Sequence, residues 1–156
     1  MQRFATLVAG VWAGLLVGIG AIVAPVAFAV LARADAGRFV NRVFMTEAYV
    51  SLAVALLLFL IERRRTRDAA EAGVGSHVGA NLVLLLGTLF CTVGGYFAIQ
   101  PMLEAARAGQ GGWSFGTLHA VSSTLFMLKG VLVIVLSWRF AAIRPSFRPS
   151  ATSTTS

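Results

Sequence analysis

Charged residues are scarce in this chain of 156 residues, where Asp, Glu, Lys and Arg together make up 12% and only six residues are acidic. An ordinary soluble domain carries about 25% charged residues. Hydrophobic residues make up 58% of the chain, and its mean hydropathy is +0.82. This composition excludes an ordinary soluble domain and indicates a protein of the lipid bilayer.

Cysteine and histidine are scarce as well. The single cysteine, Cys91, excludes an internal disulfide and leaves the redox compartment undetermined. The only histidines are His77 and His119. We interpret His77, which follows a polar stretch, as a solvated or interfacial residue. The formal net charge is +7, but the charges lie between apolar runs, so we expect no nucleic-acid partner.

Four long apolar runs are present instead. A bilayer core about 30 Å thick needs about 20 apolar residues of helix, because a helix satisfies its backbone hydrogen bonds internally. Residues 4–32, 39–61, 78–103 and 113–138 meet this requirement, and the charged residues inside them are only Arg42, Glu47 and Lys129. We predict an all-α integral membrane protein, with a compact four-helix transmembrane bundle over residues 1–143 and a disordered tail over 144–156.

The first run has some features of a signal peptide, since Arg3 precedes it and Ala27 to Ala29 resemble a cleavage site. A signal-peptide core is about 7–15 residues long, and this uncharged run is much longer, so we predict a retained helix. Pro25 lies inside that helix and cannot donate a backbone hydrogen bond, which predicts a kink.

The distribution of arginine predicts the orientation of the bundle. Loops with more Lys and Arg stay in the cytoplasm. The side that holds the N-terminus, the second loop and the C-terminus has the excess, so both termini are predicted to be cytoplasmic, in a multi-pass protein of a bacterial inner (plasma) membrane. The basic residues on that side are Arg3, Arg63, Arg64, Arg65, Arg67, Arg139, Arg144 and Arg148, against Arg33, Arg38, Arg42 and Arg107 on the other.

Small residues predict how the helices pack, because they let helix backbones approach closely in a bilayer. In the first span, glycines at positions 10, 14 and 18 continue with Ala21 and Pro25 along one face, with Trp12 opposite. We expect the glycine face to contact protein. Similar narrow faces run from Gly87 to Met102 in the third span and from His119 to Ser137 in the fourth.

One lysine lies deep in the fourth span. Lys129 is about 15 Å along the helix from His119, near the membrane midplane. An intramembrane charge costs about 2.5–3.5 kcal/mol on insertion scales and needs a partner. Glu47 is the only acidic residue well inside a span. We therefore predict a Glu47–Lys129 interaction, direct or through water or Ser51, which either fixes the helix register or serves function.

Other polar and soft side chains gather toward the outer ends of the spans and predict an outward-facing pocket. Its candidate residues are Asn41, Met45, Tyr49, Tyr96, Gln100, Met102, His119, Ser122 and Ser123. Thioether and imidazole groups suit a soft metal such as copper. However, no two of these ligands have the spacing of a local metal site, and methionine is more often a flexible filler of packing gaps.

Three stretches carry a resemblance to a known family: "GVWAGLLVGIGAIVAPVAFAVLARADAGRFVNRVF", "GGYFAIQPMLEAARAG" and "FGTLHAVSSTLFML". Together they resemble the transmembrane-protein-205-like family, also known as domain of unknown function 4149. The resemblance implies a four-helix membrane domain with no assigned activity, and its eukaryotic members imply an association with metal resistance. The positions carried over are Pro25, Gln100, Pro101, His119 and Ser122. Phe126 and Met127 stand where the family pattern would have an asparagine.

No acid–base dyad, nucleophile constellation or phosphate loop is recognisable in the sequence, so we expect binding and not catalysis. The leading hypothesis is a small membrane protein that binds or passes a small solute or metal ion, or assists a larger membrane assembly. The alternative is a haem-binding redox protein, in which His119 would need a second chain or another type of ligand. The expected partners are the lipid bilayer and either a second copy or a larger membrane complex.

Overall fold

The computed structural model describes residues 2–73 and 79–142, and every regular element in these residues is helical. Helix α1 spans Gln2–Val30, α2 spans Arg33–Glu71, α3 spans Gly79–Arg107 and α4 spans Phe115–Ala142. Each of the four is long and apolar enough to cross a membrane. The predicted all-α membrane bundle is therefore confirmed over these residues, while His77 and the tail at 144–156 lie outside them.

Helix α2 continues well beyond its apolar run. Its 39 residues correspond to about 58 Å at 1.5 Å per residue, nearly twice the thickness of a bilayer core of about 30 Å. Residues 62–71, predicted as part of a loop, are helical. Their Arg, Glu and Ala side chains are good helix formers, and Arg65 pairs with Glu62 one turn away at 3.2 Å. Loss of hydropathy marks the end of a span but not the end of a helix.

The best-packed part of the bundle is the half that contains the N-terminus, which we call the terminal end. The opposite end, with the short connections at 31–32 and 108–114, is the short-loop end. At the terminal end all four helices contribute to one buried apolar cluster, with side chains below 3% exposure. Its members are Ala5, Ala9, Trp12, Leu16, Ala55, Leu58, Leu85, Val133, Leu136 and Phe140.

The predicted packing face of α1 is wrong. Trp12, expected to point away from the bundle, is only 2% exposed, while Gly14 and Gly18 have open space where a side chain would lie. The small residues at the interface are Ala5 and Ala9, both fully buried. Trp12 can be buried because its indole N–H finds a hydrogen-bond partner inside the bundle, so this face combines close approach with a satisfied polar group.

Two of the helices change their winding. Helix α1 is π-helical over Ile19–Val23, directly before Pro25, where the sequence predicts a kink. Helix α3 is π-helical over Val93–Ala98 and ends before Gly109, whose φ of 71° is the left-handed conformation that favours glycine after a helix. Short π-helical turns frequently mark functional sites. Both lie in the half of their helix nearer the short-loop end.

Candidate functional site

A buried polar network joins three helices near the middle of the bundle. Lys129 Nζ on α4 donates to both carboxylate oxygens of Glu47 on α2, at 2.8 Å each. The Ser51 hydroxyl donates to Glu47 Oε1, and Trp12 Nε1 on α1 donates to Ser51 Oγ at 2.9 Å. The structure thus places the predicted pair in direct contact, with Ser51 beside it and Trp12 as an addition.

The network is almost completely shielded, since Glu47 and Lys129 are each 3% exposed. Both carboxylate oxygens of Glu47 have partners, and the Lys129 ammonium also lies 5.2 Å from the Phe126 ring centroid, within reach of a cation–π contact. A buried ion pair of this kind repays its desolvation only when its remaining hydrogen-bonding capacity is used. These contacts fix α1, α2 and α4 in one register.

A large cavity lies between the network and the short-loop end. Its volume is about 820 Å³ and all four helices contribute to its walls, which is within the range of about 300–1,000 Å³ typical of ligand pockets. We call it the four-helix cavity. Of the predicted pocket residues, those that line it are Asn41, Tyr96, Gln100, His119, Ser122 and Ser123, and Glu47 lines it as well.

Three predicted pocket residues lie outside this lining: Met45, Tyr49 and Met102. Met102 is two residues from Gln100, which places it about 200° around the helix, on the opposite side. Tyr49 is eight residues from Asn41 and hence about 80° away from the cavity face. Tyr49 is 58% exposed and packs edge-on against Phe97. The depth of a residue along its helix does not show which face of the helix it occupies, so residues of different faces were grouped together.

Two hydrogen bonds between helices hold the cavity walls. Gln100 Nε2 on α3 donates to Asn41 Oδ1 on α2. The Ser122 hydroxyl on α4 donates to the Gly95 carbonyl at 3.0 Å, and Gly95 lies in the π-helical segment of α3. Ser122 therefore satisfies a carbonyl in the segment where the α-helical hydrogen-bond pattern changes.

Arginines surround the cavity at the short-loop end. Arg33, Arg38 and Arg107 all line it, and we call these three the basic mouth. The Arg107 guanidinium lies 5.0 Å from the Phe115 ring centroid, and Phe115 stacks on His119 with ring centroids 5.8 Å apart. In the sequence, these arginines indicated only the orientation of the bundle. Their position within two turns of a helix end was the signal that could have placed them at a pocket entrance.

A second polar cluster lies at the terminal end and was also missed. Buried Asn81 donates to Glu62 Oε1 at 2.8 Å, and Arg139 Nε donates to Asn81 Oδ1 at 2.7 Å. Arg65 completes the cluster through Glu62. Every charged group in it has a partner, and the cluster ties α2, α3 and α4 together beside the core. We therefore assign it to packing.

The described residues offer no ready-made metal site, since no three His, Cys, Asp or Glu side chains among them come together. Cys91 and His119 both line the four-helix cavity, but Met45 and Met102 do not. The soft ligands that the sequence suggested for copper are therefore on different faces. For haem, His119 is the only histidine within the described residues.

Comparison with known proteins gives a family. Residues 7–111, more than half of the chain, match the family described as Domain of unknown function (DUF4149). The matched region includes all of α2 and the cavity-lining parts of α1 and α3. No curated protein and no solved structure matches the chain.

Proposed function

Because the chain belongs to the DUF4149 family and its helices enclose a cavity of ligand size, we propose that this multi-pass membrane protein binds a small solute in the four-helix cavity. The main observation in support of this function is the cavity itself, which has a volume of about 820 Å³. Its walls combine aromatic rings with a few convergent polar groups, the pattern of small-molecule sites.

Binding is better supported than passage through the bundle. The cavity extends from the basic mouth to Glu47 and Cys91. Beyond Glu47 lie the Trp12–Ser51–Glu47–Lys129 network and the buried apolar cluster of the terminal end. A solute that crossed the membrane would have to separate this packed half, whereas a bound solute needs no such change.

Metal binding gains less support from the geometry than solute binding does. The association with metal resistance depends on the narrower likeness to transmembrane-protein-205-like proteins, which goes beyond the family match. Within the described residues, His119 and Cys91 are the only soft ligands in the cavity lining other than Met127, whose side chain is 66% exposed. A Cu(I) site prefers several thiolate or thioether ligands together.

We further propose a bacterial inner membrane location with both termini in the cytoplasm. The excess of arginine at the terminal end supports this orientation, which would open the four-helix cavity toward the outer face. Alkaline phosphatase is active only outside the cytoplasm, so a fusion at the C-terminus should be inactive. An active fusion would place the C-terminus outside the cytoplasm and contradict the proposed orientation.

Co-purification of a solute tests the proposed function. Ser123 lines the cavity, whereas Thr124 is exposed on another face of α4 and is not part of the lining. Ser123→Trp should place an indole ring inside the cavity and obstruct it, whereas Thr124→Trp adds the same side chain outside the cavity. Mass spectrometry of extracts from the purified proteins should find a solute with the wild type and with Thr124→Trp but not with Ser123→Trp. Identical extracts from all three would refute the proposal.

A further inference from the structure

The four-helix cavity has an opening between α1 and α4 toward the surroundings of the bundle. Helix α4 packs against the first part of α1, Gln2–Gly18, but no Cα atom of Ile19–Val30 lies within 8 Å of a Cα atom of α4. The two helices are in contact at Gly20, where an added Cβ would lie 3.1 Å from Phe126 Cε1. From there they diverge toward the short-loop end and leave a lateral opening.

The edges of this opening are mainly apolar. Phe28 on α1 and Met127 on α4 line the cavity, and both side chains are exposed. Phe28 is 52% exposed and Met127 is 66% exposed. In a membrane these side chains face acyl chains, so the opening connects the cavity to the hydrocarbon and not to water.

The basic mouth supplies charge at the end of the opening. Arg38 pairs with Asp35 on the surface. Among the residues that the structure describes, Arg33 and Arg107 form no ion pair, so their guanidinium groups are available to an anion. Guanidinium binds phosphate through strong, charge-assisted hydrogen bonds.

The length of the cavity fits one lipid leaflet. Arg33 and Glu47 are 14 residues apart on α2, or about 21 Å at 1.5 Å per residue. Half of a bilayer of about 40–45 Å, with the headgroup regions included, is about 20–22 Å. A molecule with its charged group at the mouth could therefore extend an acyl chain of ordinary leaflet length to the region of Phe126 and Gly20.

From these observations we propose that the solute is a lipid with an anionic phosphate headgroup, which enters sideways between α1 and α4. Its headgroup binds Arg33 and Arg107, and its acyl chain lies along Phe28, Phe126 and Met127. This inference rests on the proposed function, since it names the class of solute that occupies the four-helix cavity.

Competition between two lipids tests the inference. The full-length protein is reconstituted with equimolar phosphatidylglycerol and phosphatidylcholine of the same acyl chains, and retained lipids are counted by native mass spectrometry. The wild type should retain phosphatidylglycerol preferentially. The double variant Arg33→Gln/Arg107→Gln should lower the ratio of the two lipids about tenfold, because it removes two charge-assisted contacts. Arg3→Gln/Arg64→Gln makes the same change in charge at the terminal end, away from the cavity, and should leave the ratio unchanged.

The outcomes separate this inference from the proposed function. Equal effects of the two double variants would overturn the inference, because the charge would then act nonspecifically. Displacement of the bound molecule by millimolar glycerol 3-phosphate would also overturn it, since a water-soluble anion would then be sufficient. If Ser123→Trp removes a solute that is not a lipid, the inference fails while the proposed function stands. If Ser123→Trp removes nothing, both fail.

Discussion

Replacing Lys129 by methionine should destabilise the bundle by leaving Glu47 without its cation. Methionine has nearly the length of lysine and keeps the apolar contacts of the side chain, so the change isolates the ammonium group. In the variant, Glu47 keeps only the hydrogen bond from Ser51. The carboxylate lines the four-helix cavity but is only 3% exposed, so little of it can be hydrated.

The magnitude follows from the position of the carboxylate. Removing one partner of a buried ion pair costs about 3–5 kcal/mol in soluble proteins, and an unpaired acidic group at the centre of a membrane helix costs about 2.5–3.5 kcal/mol on insertion scales. We therefore expect Lys129→Met to lower the free energy of unfolding by about 3 kcal/mol. The double variant Glu47→Gln/Lys129→Met contains no charge in the network, and its stability should return to within about 1 kcal/mol of the wild type.

The assay is reversible unfolding in mixed micelles with increasing sodium dodecyl sulfate, followed by the loss of helical circular dichroism. The single variants Lys129→Met and Glu47→Gln and the double variant complete a double-mutant cycle. Two results would show that the Glu47–Lys129 contact does not hold the helices together. Lys129→Met could unfold at the same dodecyl sulfate concentration as the wild type, or the double variant could be as unstable as Lys129→Met.

Three further substitutions probe the packing in the same unfolding assay. Trp12→Phe keeps an aromatic ring in the core but removes the hydrogen bond to Ser51, and it should lower the free energy of unfolding by about 1 kcal/mol. A larger loss than that of Lys129→Met would show that packing, and not the polar network, determines the stability at this site. Gly95→Ala places a Cβ 3.1 Å from Leu125 Cβ and should destabilise the bundle by about 1 kcal/mol. Gly14→Ala places its Cβ in open space, so it should leave the stability unchanged or raise it by up to about 1 kcal/mol. The opposite order would contradict the orientation of α1 or α3 described above.

The four spans and the central ion pair were accessible from the sequence because few alternatives existed. The spans are long runs almost free of charge, and only a helix satisfies backbone hydrogen bonds in hydrocarbon. Lys129 has one acidic residue at a comparable depth, so its partner was determined by elimination. The face of α1 was not determined in this way. A face of alanines and a face of glycines both let helices approach closely. Only the hydrogen-bond partner of the Trp12 indole shows which of the two faces of α1 contacts the other helices.

The candidate site was predictable only in part. Asn41, Gln100, His119 and the two serines were recognised as polar groups at a common depth, which is a one-dimensional property. Whether a residue faces the cavity depends on helix rotation, and Met102 lies outside the cavity lining for that reason. Pro25 predicts a kink in α1 but not the direction of the kink, so the divergence of α1 from α4 at the lateral opening could not be predicted from the sequence.

Thiol accessibility shows whether the four helices form a ligand-sized cavity that is lined by Ser123. In a Cys91→Ala background, Ser123→Cys and Thr124→Cys place single thiols at adjacent positions of α4. A charged thiol reagent reacts with the thiolate, which forms poorly in hydrocarbon. In delipidated protein in detergent, Ser123→Cys should react at least about tenfold faster than Thr124→Cys. Equal rates at the two positions would contradict the cavity and, with it, the proposed binding of a solute.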